Sequence, residues 1–171
     1  MMHVYYGDGK GKTTAALGLA LRAAGHGKKV VIVQFLKNSP TGEEASFKHL
    51  PDITLLRGKA GKAFTFTMDE VEKQETRLIH NSNLERALSL VYAGACDMLI
   101  LDEGMDAVRK GLVDEALIRR LVFERPENLE LVVTGHKPVQ WLLDAAGYVT
   151  EMVKKKHPFD RGVAAREGIE F

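Results

Sequence analysis

Short apolar, β-branched runs recur along the chain, separated by longer stretches with helical patterning. HVYY at 3–6, VVIVQF at 30–35, ITLL at 53–56, MLIL at 98–101, ELVV at 130–133 and YVTEM at 148–152 read as strands. Runs that stay apolar, rather than alternating with polar residues, belong to strands covered on both faces. Helical patterns fill most intervals, so the connections read as βαβ crossovers around a parallel sheet. The pattern therefore predicts an α/β fold with a mostly parallel central sheet and helices on both faces. One long helix is expected to start at a capping box formed by Thr67 and Glu70 and to stop at Gly94. Residues 36–47 and 57–66 read as long loops, where function tends to sit on such scaffolds.

Composition narrows this to one unit over residues 1–171, since 171 residues with 45% hydrophobic content bury the core of one ordinary domain. No repeat, low-complexity tract or Pro/Gly/Ser linker divides it. With 24 basic and 23 acidic side chains and a net charge of +1, the chain lacks the one-sided field of a nucleic-acid or anionic-lipid binder. Its partners are expected to be small molecules, with no nucleic acid and no membrane. The longest apolar runs are too short to cross a bilayer. Cys96 is the only cysteine, so no internal disulfide forms, and it reads as a small buried residue before a strand. HVYY follows the N-terminus without a basic n-region and apolar h-region, and a cytoplasmic location is expected.

The strongest chemistry lies where the first strand runs into GDGKGKTT at 7–14, which opens an alanine-rich helix. This strand–loop–helix context is what a phosphate-binding loop requires. Gly7, Gly9 and Gly11 let backbone N–H groups turn inward, and the helix N-terminus adds partial positive charge. Lys12 supplies a point charge, and the Thr13 hydroxyl can ligate magnesium. A bare glycine turn would concentrate two lysines and lose backbone entropy for nothing. Tyr6, however, stands where G-x-x-x-x-G-K-[ST] has its first glycine. LILDE at 99–103 forms the second element: a buried strand ending in Asp102 and Glu103, as in a Walker B motif whose carboxylate reaches the metal. The alternative, acidic residues capping the next helix, weakens once the two motifs are taken together. Asp102 and Glu103 are both candidate metal holders, and the residues leave open which of them touches the ion.

These motifs describe a nucleotide-binding domain, not yet a reaction. In order along nearly the whole chain, GDGKGKTTAALGLALRAAGHGKKVVIVQFLK, AFTF, LILDE and VTEMVKKKHPFDRGVAAREGIEF resemble the P-loop class of ATP:corrinoid adenosyltransferases, which act on cob(I)alamin or cob(I)yrinic acid a,c-diamide. The resemblance implies a RecA-like P-loop NTPase fold and a reaction in which cobalt(I) attacks the 5′ carbon of ATP and expels triphosphate. It also implies a loop one residue shorter than the common form, with ATP lying in it in the reverse direction, which suits Tyr6 in place of glycine.

By the same resemblance Gly7, Asp8, Gly9, Lys10, Gly11, Lys12, Thr13 and Thr14 hold ATP, and Thr13 with Asp102 and Glu103 serves Mg²⁺. Lys12 and Thr13 are the catalytic residues of the phosphate side. Phe64 and Phe66 match the aromatic pair that displaces the lower axial ligand of the corrinoid, which makes cobalt(II) easier to reduce. Gly58, Lys59 and Gly61 flank them; the plainer reading is that the two rings staple the loop onto the next helix. Relatives often carry tryptophan at 66, threonine at 6 and, in TGHKP at 134–138, arginine at 136. Lys156, His157, Asp160 and Arg161 read either as part of the nucleotide site or as a solvated tail. A homodimer and a reducing partner such as a flavoprotein are implied. Relatives with longer N-termini cover the corrinoid site with the extra segment, so a more open site is expected here. A P-loop ATPase or small-molecule kinase, and a nucleotide-driven binding module, are the readings from other classes; product identity separates them.

Overall fold

Six apolar runs form six parallel strands in the computed structural model, which describes residues 1–37, 40–58 and 68–170. In chain order they are β1 (Met2–Tyr6), β2 (Val30–Gln34), β3 (Ile53–Arg57), β4 (Met98–Asp102), β5 (Glu130–Gly135) and β6 (Tyr148–Glu151). Each lies within one or two residues of its expected span. They pair in the order β3-β2-β4-β5-β1-β6, every neighbour parallel. The acidic strand β4 is thus separated from β1 by β5.

Successive side chains of a strand point to opposite faces, and both faces of this sheet are covered. Val30, Ile32, Met98, Ile100 and Val132 pack with Ala16 and Ala20 of helix α1 (Lys12–Ala24). Val31, Val33, Leu99, Leu101, Leu131 and Val133 face the other way, against α3 (Glu70–Tyr92), α4 (Gly104–Arg109), α5 (Glu115–Glu124) and α6 (Gln140–Ala145). Leu84, Ala87, Leu88 and Val91 of α3, and Ile118, Leu121 and Val122 of α5, supply the second layer. This two-sided burial explains the unbroken apolar strands.

Two expectations are corrected. The long helix does run 23 residues, but its capping box is Asp69 with Glu72: the Asp69 carboxylate accepts the Glu72 N–H at 2.8 Å, and Glu72 Oε2 accepts the Asp69 N–H at 3.1 Å. Asp69 and Glu72 have the same three-residue spacing as Thr67 and Glu70, and Met68, buried just before the cap, sets the entry two residues later. Thr67 itself lies outside the described residues. Residues 36–47 are not all loop, because Gly42–Phe47 forms the short helix α2, with Glu43 and Glu44 in its first turn, where negative charge suits the helix dipole. Gly94, at φ 72°, ends α3 as expected.

Parallel strands bring all their carboxyl ends to one edge. The segments after β1, β2, β4, β5 and β6 meet there.

Candidate active site

Residues 7–11 wrap the start of α1, and their glycines answer to two demands. Gly7 and Gly11 have φ of 113° and 117°, conformations that side chains rarely adopt. A Cβ at Gly7 would stand 2.4 Å from the Met152 carbonyl oxygen, and one at Gly9 2.7 Å from it. The Gly9 N–H donates to that oxygen at 2.7 Å, and Met152 N–H donates to Tyr6 O at 2.7 Å. The loop is therefore sewn to the end of β6. Tyr6 belongs to β1 and is half-buried against the core, outside the loop proper.

Lys12 donates to Gly9 O at 2.6 Å, bracing the loop; burial pushes its ammonium below the ordinary lysine value, against the pull of Asp106, Asp8, Glu103 and Asp102. Lys10 points outward to Ile169 O at 3.2 Å and Glu170 Oε1 at 2.9 Å. Asp8 accepts the Lys154 N–H at 2.9 Å, which holds its carboxyl below the usual range. Thr14 is exposed and lines the same groove as the other loop residues. That groove, about 1110 Å³ in volume, runs from Asp8–Thr14 past Lys37 and Glu103 to His136 and Glu170.

Thr13 and Asp102 meet: the hydroxyl donates to Asp102 Oδ1 at 2.9 Å, from the first turn of α1 to the last residue of β4. Asp102 is fully buried. Thr134 Oγ1 donates to the same Oδ1 at 2.8 Å, while Gln34 Nε2 at 3.3 Å and Lys37 Nζ at 2.9 Å serve Oδ2. Glu103 sits in a left-handed turn, φ 59°, its N–H donating to Thr134 Oγ1 at 2.9 Å. Burial first, then the charge of Asp102, pushes the Glu103 carboxyl up to about 7, with Lys37 opposing. Strained turns of this kind in non-glycine residues gather at functional sites.

Among the described residues no group of three or more His, Cys, Asp or Glu side chains could cage a metal alone. What is present, one hydroxyl beside a buried carboxylate with Glu103 next in sequence, is an oxygen-only set of the type that holds Mg²⁺ together with waters and substrate phosphates. Gln34 Oε1 is buried beside it with no hydrogen-bond partner among the described residues. An orphan acceptor there suits a hydrated cation, and the residues fit the ion.

The segment 59–67, with Phe64 and Phe66, lies outside the described residues. His136, where relatives often carry arginine, lines the groove with its side chain largely exposed; its carbonyl accepts the Gly7 N–H at 3.0 Å. Asp106 accepts the His136 backbone N–H at 2.7 Å and lies 3.5 Å from its ring Nδ1. Cys96 is buried, its thiol pushed up to about 11 by burial, and it serves the core. Of the tail residues, His157 reaches the groove, whereas Asp160 pairs with Lys154 at 3.0 Å.

A family model described as ATP:corrinoid adenosyltransferase BtuR/CobO/CobP matches residues 1–171. The chain belongs to this family. It is 33% identical over 169 residues to the corrinoid adenosyltransferase of Pseudomonas aeruginosa, covering 98% of this chain and 82% of that one. The corrinoid adenosyltransferase of Escherichia coli K12 is 34% identical over 170 residues, 98% of this chain and 84% of the relative. That of a Sinorhizobium species is 35% identical over 172 residues, 96% and 77%. As a family member the chain is an adenosyltransferase with a P-loop-type α/β fold, and the ATPase and binding-module readings fall away. Gln34, Lys37, Thr134, Asp106 and Met152 escape a reading by motif. Gln34 and Thr134 did leave a signal: each is a polar residue at or next to the end of an apolar strand, and each is hydrogen-bonded to Asp102.

Proposed function

We propose that this adenosyltransferase clamps the whole triphosphate of ATP as a leaving group between the loop at 7–14 and the Thr13–Asp102 pair, and presents the ribose to a corrinoid. The observation that carries the reading is that Thr13, which lines the groove that the glycine loop opens onto, meets the fully buried Asp102 behind it at 2.9 Å. Cobalt(I) of the corrinoid substrate supplies the electron pair. The cobalt–carbon bond forms at C5′, the C5′–oxygen bond breaks, and its pair leaves on the triphosphate. No protein nucleophile is required.

The protein's task is electrostatic. Donors and cations fixed in advance around accumulating negative charge lower the barrier without reorganising. In this reading the loop at 7–14 holds the triphosphate with its N–H groups other than those of Gly7 and Gly9, which His136 O and Met152 O already take, and with the side chains of Lys10 and Lys12, and Lys12 releases Gly9 O to do so. Thr13 and Asp102 hold Mg²⁺, with Glu103 orienting its water; the ion, when bound, neutralises phosphate charge. Asp8 holds the loop to the backbone after β6. Phe64 and Phe66 are assigned to the corrinoid's lower face. On its composition and N-terminal pattern the chain works as one domain over 1–171 in the cytoplasm, and on the resemblance it does so as a homodimer, with the corrinoid cobalt reduced by a partner such as a flavoprotein. No helix among the described residues is long and apolar enough to cross a membrane.

The test is an anaerobic incubation with magnesium-ATP and chemically reduced corrinoid. Light-sensitive adenosylcorrinoid together with intact triphosphate is the expected result; ADP and phosphate without an alkylated corrinoid would overturn it. Run with cobalt(II) and a reductant, the same assay with F64A and F66A isolates the aromatic pair, which should fail there and survive with preformed cobalt(I).

A further inference from the structure

Asp102 is a carboxylate with no exposed surface, and burying an unpaired charge is costly. Its partners Thr13, Thr134 and Gln34 are neutral. The charge that balances it comes from Lys37, whose Nζ stands 2.9 Å from Oδ2, its side chain only 19% exposed. Lys12, the loop lysine, is instead engaged with Gly9 O. Lys37 is aimed by its backbone. Phe35 N–H donates to Asp102 O at 3.0 Å, tying the end of β2 to the end of β4. Leu36 then takes a left-handed conformation, φ 59°, which turns the chain back toward the carboxylate. His80 of α3 supports that turn: its Nε2 accepts the Leu36 N–H at 3.4 Å, its Nδ1 pairs with Leu112 O at 2.8 Å, and its ring meets Phe35 edge-on at 5.0 Å. A strained residue in a turn held by a buried histidine is a specific device for placing one ammonium.

That ammonium occupies the carboxylate that the assignment above gives to the metal. A divalent cation and an ammonium repel each other, and both draw on the Asp102 carboxylate. We propose that Lys37 is the internal counter-ion of Asp102, which a divalent cation must displace, so that the metal enters only with the nucleotide. The displaced ammonium still needs an anion. Glu43 Oε1 lies 3.8 Å from it, and the groove that Lys37 lines is the one assigned to the triphosphate, so a metal–ATP complex brings both the competitor and the replacement partner. Metal alone brings only the competitor. Lys37 thereby couples metal to nucleotide and passes from a carboxylate to the leaving group.

The inference rests on Thr13 and Asp102 being the metal's holders, and the test keeps the two claims apart. Mn²⁺, read by its paramagnetic resonance signal, is titrated into nucleotide-free protein and into protein saturated with ATP. Wild type and K37R should bind Mn²⁺ weakly without nucleotide, and K37Q about thirtyfold or more tightly, the scale on which removing one partner of a buried charge pair acts. With ATP present the order reverses, K37Q losing affinity. An unchanged nucleotide-free affinity in K37Q overturns the inference while leaving the metal assignment intact. A gain from K37Q that persists in a D102N background overturns the metal assignment, and the inference with it. If K37Q is too unstable to titrate, Mn²⁺ should raise its melting temperature and not that of D102N/K37Q; no such rise overturns the proposal.

Discussion

Gly9 donates its N–H to the Met152 carbonyl at 2.7 Å, and a Cβ on Gly9 would meet that oxygen at the same distance. The phosphate loop is thus pressed against the end of β6, a strand whose residues are all exposed and whose place is at the sheet edge. The glycines serve this contact as well as any ligand.

Gly9→Ala is expected to destabilise the protein by about 1–3 kcal/mol, since the crowding atom is backbone and cannot swing away. Gly18→Ala should do the opposite. Gly18 sits inside α1 with nothing within 4 Å of a new Cβ, so alanine should stabilise by about 0.5–1 kcal/mol. Chemical denaturation of both variants checks the sign of each.

Asp102→Asn keeps the shape of the side chain and removes the charge that Lys37 neutralises and that the proposed metal would use. Product formation should fall by about a hundredfold or more, the scale for losing one preorganised electrostatic group. Chelating divalent ions from the wild type should bring its rate to a similar level. Initial rates of adenosylcorrinoid formation, with and without chelator, make the comparison; an asparagine variant that still responds to magnesium as the wild type does would count against the assignment.

The His136–Asp106 pair makes a prediction about pH. Its hydrogen bond to Asp106 raises the His136 imidazole above its ordinary 6.5, outweighing burial. Burial pushes Asp106 up, but the His136 side-chain and backbone hydrogen bonds outweigh it and leave the carboxyl below 3.8. The histidine's contribution is complete below 6.5 and is lost as pH rises through its raised folded value. The aspartate's is complete above 3.8 and is lost as pH falls through its lowered one. The pair therefore works best between 3.8 and 6.5. Because the ring is largely exposed, His136→Gln should cost at most about 1 kcal/mol. Urea melts near pH 5.5 should show that deficit, and melts near pH 8.5 should show less of it.

Glu170 meets Lys10 at 2.9 Å and Arg166 at 3.0 Å, which together hold its carboxyl down at about 2. A triphosphate reaching Lys10 must break the first of these contacts. Glu170→Gln is expected to tighten ATP binding by about fivefold or less, as befits an exposed ion pair. Calorimetric titration with ATP reads the change. Weaker binding in the variant would mean that the tail carboxylate helps to shape the site rather than competing for it.

The pattern of apolar runs made all six strands legible; β2, β4 and β5, buried on both faces, carry the signal in nearly every residue, whereas β6, exposed throughout, showed only as a short β-branched and aromatic run. The capping box was legible as a motif and misplaced by two residues, since Thr67–Glu70 and Asp69–Glu72 satisfy the same spacing and only the burial of Met68 separates them. Helix α2 was missed because six residues, GEEASF, with none buried, have no amphipathic stripe to read.

The glycine loop, Lys12, Thr13 and the Asp102–Glu103 ending were determined by sequence alone, each being a local string in which neighbours along the chain are neighbours in space. The surroundings of Asp102 were decided by tertiary structure. Gln34, Lys37 and Thr134 reach it only because β2 and β5 flank β4 in the sheet, with their carboxyl ends level. Met152 and Glu170 come to the loop from the far end of the chain, because β6 pairs beside β1. Strand order follows from which crossovers bury the most surface over the whole sheet, and no short stretch of sequence carries that sum.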